Sequence, residues 1–263
     1  MDLPTVTRHD RPADGELRAR LATMTDSEAL VGGGTWLFSV PQPHLTGLVD
    51  LTGAGWPAVE DTDDGLRVAG TATLAHVAGL PGTLARGCVD ALVGSATIQR
   101  VATVGGNVAL ALPAAPMITL AAVLDGVATL WRPDGTTSEI AVADLVLGDR
   151  RTTLGRGDVV RAITLPHHAM RARTALRKVS LSALGRSAVL VAGRVDADGS
   201  CVVALTASLE RPAVLRFEAV PDAATLRDAV DVDRDWFDDP HGSPDWRRAM
   251  TLRAAEQVRA ELA

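Results

Sequence analysis

Tyrosine is absent from this chain and aromatic residues make up only 3% of its 263 positions, so five tryptophans and three phenylalanines serve every aromatic role in core or site. Each tryptophan therefore merits scrutiny. Cysteine is almost as scarce: Cys88 and Cys201 stand far apart, outside any C-x-x-C pair or Cys/His ligand cluster. A disulfide framework is excluded, and the chain carries no iron–sulfur or zinc motif of its own. No stretch approaches the roughly 18–20 uninterrupted apolar residues of a membrane span. The start, Met1 to Asp10, shows no apolar run behind a basic flank. A cytoplasmic location is expected, away from any membrane. Positive charge is not in excess either: 26 Lys and Arg face 32 Asp and Glu, a net charge of −6. That balance argues against a surface built to neutralise nucleic-acid phosphates. Small molecules or proteins are the expected partners.

What is present is a globular composition, 47% apolar and 22% charged, long enough for one large domain or two ordinary ones. Apolar residues at helical spacing predict a helix over 14–24. Short strands are expected at 29–31, 47–51 and 65–70, with Thr71 or Thr73 capping a short helix over 74–78. Helices over 81–93 and 113–124 follow. Strands at 127–131, 136–140 and 158–165 form a meander, the first two joined by the turn Arg132-Pro-Asp-Gly135. Pro166-His-His168 marks a boundary. Beyond it, apolar strand runs over 175–195 and 201–209 flank the turn Asp196-Ala-Asp-Gly199. Helices then dominate, with Asp222 and Ser243 as N-caps and a last helix over 244–262 opened by Pro244.

Two glycine-rich segments concentrate the chemistry: Val31-Gly-Gly-Gly-Thr-Trp36 and Thr103-Val-Gly-Gly-Asn107, each after an apolar run. Without Cβ atoms the backbone can approach a phosphate closely, and successive N–H groups form a concave nest for oxygen. Thr35 and Thr103 add hydroxyls. Neither segment fits G-x-G-x-x-G opening a long helix or G-x-x-x-x-G-K-[ST], which disfavours Rossmann and P-loop nucleotide binding. A tight turn at a strand end explains either segment alone; the pair, about seventy residues apart, can face one elongated diphosphate ligand. His167 and His168 adjoin a proline and form no metal pattern, and no Ser/His/Asp spacing supports hydrolysis.

These segments, with Leu48-Val-Asp-Leu51, Leu66-Arg-Val-Ala-Gly-Thr-Ala-Thr-Leu74, Pro113-Ala-Ala115, Leu124-Asp125, Arg177-Lys-Val179 and Asp239-Pro-His-Gly-Ser-Pro-Asp-Trp-Arg-Arg248, fall in a distinctive order. The set resembles the FAD-binding medium subunit of the molybdenum hydroxylases, relatives of xanthine dehydrogenase and carbon monoxide dehydrogenase. The resemblance implies an α+β fold. A PCMH/vanillyl-alcohol-oxidase-type FAD-binding domain over 1–167, in lobes of about 1–55 and 56–167, precedes a C-terminal domain over 168–263 with a three-stranded antiparallel sheet and helices. It implies non-covalent FAD held by Gly32, Gly33, Gly34 and Thr35 of the first segment and by Thr103, Gly105, Gly106 and Asn107 of the second. Asp125 matches an acidic position near the cofactor, and Lys178 a basic one near the isoalloxazine, where a cation favours the anionic reduced flavin. Asp125 with Gly126 making only a turn, and Lys178 as a solvated strand residue, are the plain alternatives.

The chain also departs from the family. Trp36 stands where Asp or Ser is usual, either stacking on a ligand ring or packing in the core. Thr97-Ile-Gln-Arg100 replaces Gln-Ile-Arg-Asn, and Leu110, Leu112 and Pro116 replace Asn, Ser and Asp, which implies weaker flavin binding. Thr35 occupies the place of an attaching histidine, so the FAD is expected to dissociate. By resemblance, the chain is the electron-transfer oxidoreductase subunit of a complex. A [2Fe–2S] small subunit and a molybdopterin large subunit are its expected partners, and NAD⁺, quinone or O₂ the acceptor. A flavin-weak or flavin-free assembly subunit and a stand-alone small-molecule flavin oxidase are the alternatives.

Overall fold

The computed structural model describes residues 3–263. Three larger sheets and one two-stranded pair organise the described residues. The first is parallel, with β1 (Arg8–Asp10) and β2 (Glu28–Val31) flanking β3 (Gly47–Asp50). Between β1 and β2, helix α1 (Asp14–Ala22) buries Leu17 and Leu21. The polar Arg8-His-Asp10 run has no strand pattern and is recruited by its register on Gly47 to Val49.

The second sheet is antiparallel, in the order β4 (Val59–Thr62), β5 (Gly65–Ala69), β10 (Val159–Leu165), β6 (Val127–Trp131) and β7 (Thr137–Ala141). Helices α2 (Leu74–Ala78), α3 (Leu84–Ala91), α4 (Ala96–Val101), α5 (Val104–Leu110) and α6 (Pro116–Val123) lie between β5 and β6. Every residue of α6 is buried, which explains its lack of an amphipathic pattern. After β7 come α7 (Val142–Leu145), the small pair β8 (Val146–Gly148) and β9 (Arg151–Thr152), and, past β10, α8 (His167–Arg171). His167 and His168 thus begin a helical turn.

The third sheet corrects the expected strand count. It has four antiparallel strands, β11 (Arg173–Val179), β12 (Val189–Val195), β13 (Cys201–Thr206) and β14 (Ala213–Phe217). The 175–195 run divides into β11 and β12 around a loop, and β14 adds an edge strand that is only half buried, so its apolar signal is weak. Helices α9 (Ala223–Val230) and α10 (Pro244–Leu262) cover one face; α3 and α6 cover the other. With both faces covered, β12 and β13 are buried almost throughout, and each fully buried Leu or Val there contributes about 1.5–3 kcal/mol. Within this second core Arg247, only 1% exposed, donates to the carbonyls of Ala188, Ala207 and Gly242 and to Asp239. This buried guanidinium is satisfied by the backbone it ties together and by the Asp239 carboxylate.

Candidate functional site

The first glycine segment leaves β2 and turns sharply. Gly34 has φ +66°, a left-handed conformation natural to glycine, and a Cβ there would strike the Phe38 ring. A Cβ on Gly33 would collide with the Val101 carbonyl, and one on Gly32 with the Thr103 hydroxyl. The segment needs its glycines because it lies directly against the second one. Its turn is closed by Phe38 N–H donating to Gly34 O (2.9 Å) and Ser39 N–H to Trp36 O (2.9 Å). Among the described residues, the N–H groups of Gly33, Gly34, Thr35 and Trp36 donate to no acceptor in the chain.

The second segment differs from its expected form as a loop. Thr103 is the N-cap of α5, its hydroxyl accepting from Gly106 N–H at 3.2 Å, so Val104 to Asn107 form the helix's first turns. Their N–H groups are already engaged: Val104 with Ala72 O (2.8 Å), Gly105 with Gly70 O (2.8 Å), Asn107 with Thr103 O (2.9 Å). Gly105 is buried, and a Cβ there would meet Gly70 O at 2.8 Å. Asn107 Oδ1 accepts from Met117 N–H (3.0 Å), tying α5 to α6. The free donors therefore belong to the first segment, and the second supplies the wall.

Between the segments lies a cavity of about 540 Å³, within the range of small-molecule sites. Gly32, Gly33, Gly34, Thr35 and Trp36 line it from one side; Thr103, Gly106 and Asn107 line it from the other. Leu92, Ile98, Leu110 and Leu112 form an apolar wall, and no charged side chain lines the cavity among the described residues. Leu92 and Ile98 escaped sequence reasoning because they carry no motif; only their apolar spacing next to Gly94 marked them. Pro116 lies apart, buried at the first position of α6. A hollow of similar size, about 560 Å³, between α9 and α10 has a mostly apolar lining without a glycine backbone.

Three expected site residues, Gly105, Asp125 and Lys178, are not among those lining this cavity. Asp125 follows α6 and is gripped by Arg194 of β12 (2.5 Å) and Arg216 of β14 (2.5 Å). Burial works to raise its carboxyl, but the two guanidiniums outweigh it and hold Asp125 below its ordinary 3.8. Lys178, the sole lysine of the chain, lies on β11 in register with Leu190. Alternation along β11 turns Ala175 and Val179 to the α10 core and Leu176 toward the larger core of the second sheet and its helices. Lys178 shares the Leu176 face, and Leu190 packs with Ala91, the neighbour of cavity residue Leu92. Burial alone pulls its ammonium below the ordinary 10.5.

Backbone donors without partners, a floor a Cβ would fill and a neutral wall together suit a diphosphate-linked aromatic ligand. Residues 11–168 match the family described as the FAD binding domain in molybdopterin dehydrogenase. The chain belongs to this family. Its members are flavin modules of oxidoreductases, and FAD is accordingly the cofactor of this fold.

The whole chain also shares its fold with chains of solved dehydrogenases and an oxidoreductase. The Cu,Mo-CO dehydrogenase in its cyanide-inactivated form superposes with a TM-score of 0.85 at 20% identity, over 99% of both chains. Quinoline 2-oxidoreductase from Pseudomonas putida 86 gives 0.83 at 20% identity, over 100% of this chain and 98% of that one. Carbon monoxide dehydrogenase from Hydrogenophaga pseudoflava, lacking the Mo-pyranopterin moiety of its molybdenum cofactor, gives 0.84 at 19%, over 100% and 98%. Comparison with curated protein sequences yields no match. No helix among the described residues is long and apolar enough to cross a membrane.

Proposed function

We propose that this chain is the electron-transfer flavoprotein subunit of a molybdenum hydroxylase, working beside a [2Fe–2S] chain and a molybdopterin chain. The observation that carries the reading is the run of unpaired N–H groups from Gly33 to Trp36 facing Thr103 and Gly106 across the cavity. Bound FAD supplies the exchange between single electrons from iron–sulfur clusters and a two-electron acceptor such as NAD⁺, quinone or O₂. The chain's own residues position and tune. The first segment's amides hold the diphosphate and Thr35 offers a hydroxyl beside them, while Thr103, Gly106 and Asn107 wall the opposite side. Leu92, Ile98, Leu110 and Leu112 exclude water from the adjoining wall. Lys178, its ammonium partly desolvated by burial, favours negative charge on the ring. Asp125 acts here through structure, joining the 1–167 unit to the 168–263 unit across the point where sheet membership changes from β10 to β11.

Leu110 and Leu112 favour a second reading, an assembly subunit that binds flavin poorly, since neither side chain can hydrogen-bond a ribityl hydroxyl. Titrating the purified full chain with FAD separates the two. The first reading expects bound flavin bands and saturable binding; no binding at high micromolar FAD leaves the assembly role. Co-purification with chains carrying [2Fe–2S] clusters and molybdopterin tests the partners, and their absence would support a stand-alone oxidase.

A further inference from the structure

The five tryptophans separate into four that the fold uses and one that it does not. Trp56 and Trp131 meet edge to face, with centroids 5.4 Å apart and planes at 83°. Arg161 lies 4.1 Å over the first ring and Arg18 4.1 Å over the second. Trp236 and Trp246 pack against the core beneath α9 and α10. Trp36 joins no apolar cluster, aromatic pair or cation–π contact among the described residues. Its side chain stays on the cavity wall with the residue 40% exposed.

An indole left open in this way forgoes much of the burial energy that tryptophan normally gains, unless a ligand covers it. Its backbone is nevertheless fixed. The Trp36 carbonyl accepts from both Ser39 N–H (2.9 Å) and Ser39 Oγ (2.7 Å), which pins the turn that presents the ring. The unpaired N–H groups of Gly33 to Trp36 adjoin it, and no charged side chain in the lining competes to orient a ligand.

We propose that Trp36 is a specificity-determining residue: its indole stacks on one planar ring of the dinucleotide while the neighbouring amides hold the diphosphate. The inference rests on the flavin reading and adds to it a π surface, which makes recognition depend on an aromatic group tethered close to a diphosphate. Adenine and isoalloxazine both qualify. Leu92, Ile98, Leu110 and Leu112 supply apolar surface elsewhere in the cavity, so the chain offers stacking and apolar contact where the family usually offers polar side chains.

The test measures binding of FAD, ADP and FMN to the full chain and to Trp36→Phe and Trp36→Leu by equilibrium dialysis, with tryptophan emission followed in parallel. Stacking predicts that Trp36→Leu binds FAD about tenfold more weakly, that Trp36→Phe stays close to the parent, and that the part of the FAD-induced quenching due to Trp36 disappears in both. If adenine is the stacked ring, the loss appears with ADP and not FMN; if isoalloxazine, the reverse. Circular dichroism of the variants confirms that this exposed position leaves the fold intact. Equal FAD affinity for Trp36→Leu and a binding-competent parent would overturn the stacking role and leave the flavin reading standing. A parent chain that binds no FAD would overturn both.

Discussion

Arg194, on the second strand of the C-terminal sheet, holds the Asp125 carboxylate at 2.5 Å from across the chain, while its Nε reaches Asp196 at 3.0 Å. Arg194 is 2% exposed, so the pair is anchored in the interior and Arg216 closes it from outside. Removing one partner of such a pair leaves a buried charge partly uncompensated. Because Asp196 still faces Arg194, Asp125→Asn is expected to cost about 2–3 kcal/mol rather than more. Urea unfolding of the two proteins at pH 7 measures it.

The same carboxylate gives stability a pH dependence of known sign. Its folded-state value is depressed below 3.8, so its contribution is complete above that value and fades as pH falls through the lower, folded value. Melting temperatures of the parent and Asp125→Asn should differ at pH 6 and draw together below pH 4. A gap that widens in acid contradicts the ion-pair assignment.

Gly33 has the least room of the first segment's glycines, because a methyl there meets the Val101 carbonyl backbone rather than a movable side chain. Gly33→Ala is expected to destabilise the chain by about 1–3 kcal/mol and to abolish FAD binding. Calorimetric FAD titration checks the second effect under conditions where circular dichroism shows the variant folded.

Since no charged side chain lines the cavity among the described residues, FAD affinity should change less than about twofold between 0.05 and 0.5 M salt. A steep decline with salt would show that a lysine or arginine reaches the diphosphate.

Lys178→Met should leave FAD binding nearly unchanged and lower the midpoint potential of the bound flavin, with Lys178→Arg restoring part of it. Spectroelectrochemical titration reads this directly. The ammonium loses its proton below 10.5, so the difference between parent and Lys178→Met should shrink as pH rises toward 10. An unchanged midpoint at neutral pH would return Lys178 to a purely structural role.

Elements whose signals are local were legible in the sequence. Helix α10 begins at Pro244 and ends at Leu262 as its proline and composition imply, and the hairpin turns at Asp134–Gly135 and Asp198–Gly199 lie between strands as expected. Elements created by tertiary pairing were not. Arg8–Asp10 becomes a strand only because β3 offers a partner, and Ala213–Phe217 is an edge strand with little burial to pattern it. Thr103 to Asn107 reads as a glycine turn, yet Gly70 and Thr103 engage the N–H groups that turn it into a helix start. The site was half legible for the same reason: glycine clusters announce themselves, whereas Leu92 and Ile98 become lining residues only through packing.

The contact of Gly105 with Gly70 has a consequence for adaptability. Joined to the end of β5 through a 2.8 Å hydrogen bond between backbones, the α5 side of the cavity cannot yield without bending a sheet. The Gly33–Trp36 side carries only its own turn bonds. The cleft thus pairs an anvil with a spring, and accommodation of an ill-fitting dinucleotide will be registered almost wholly by the spring.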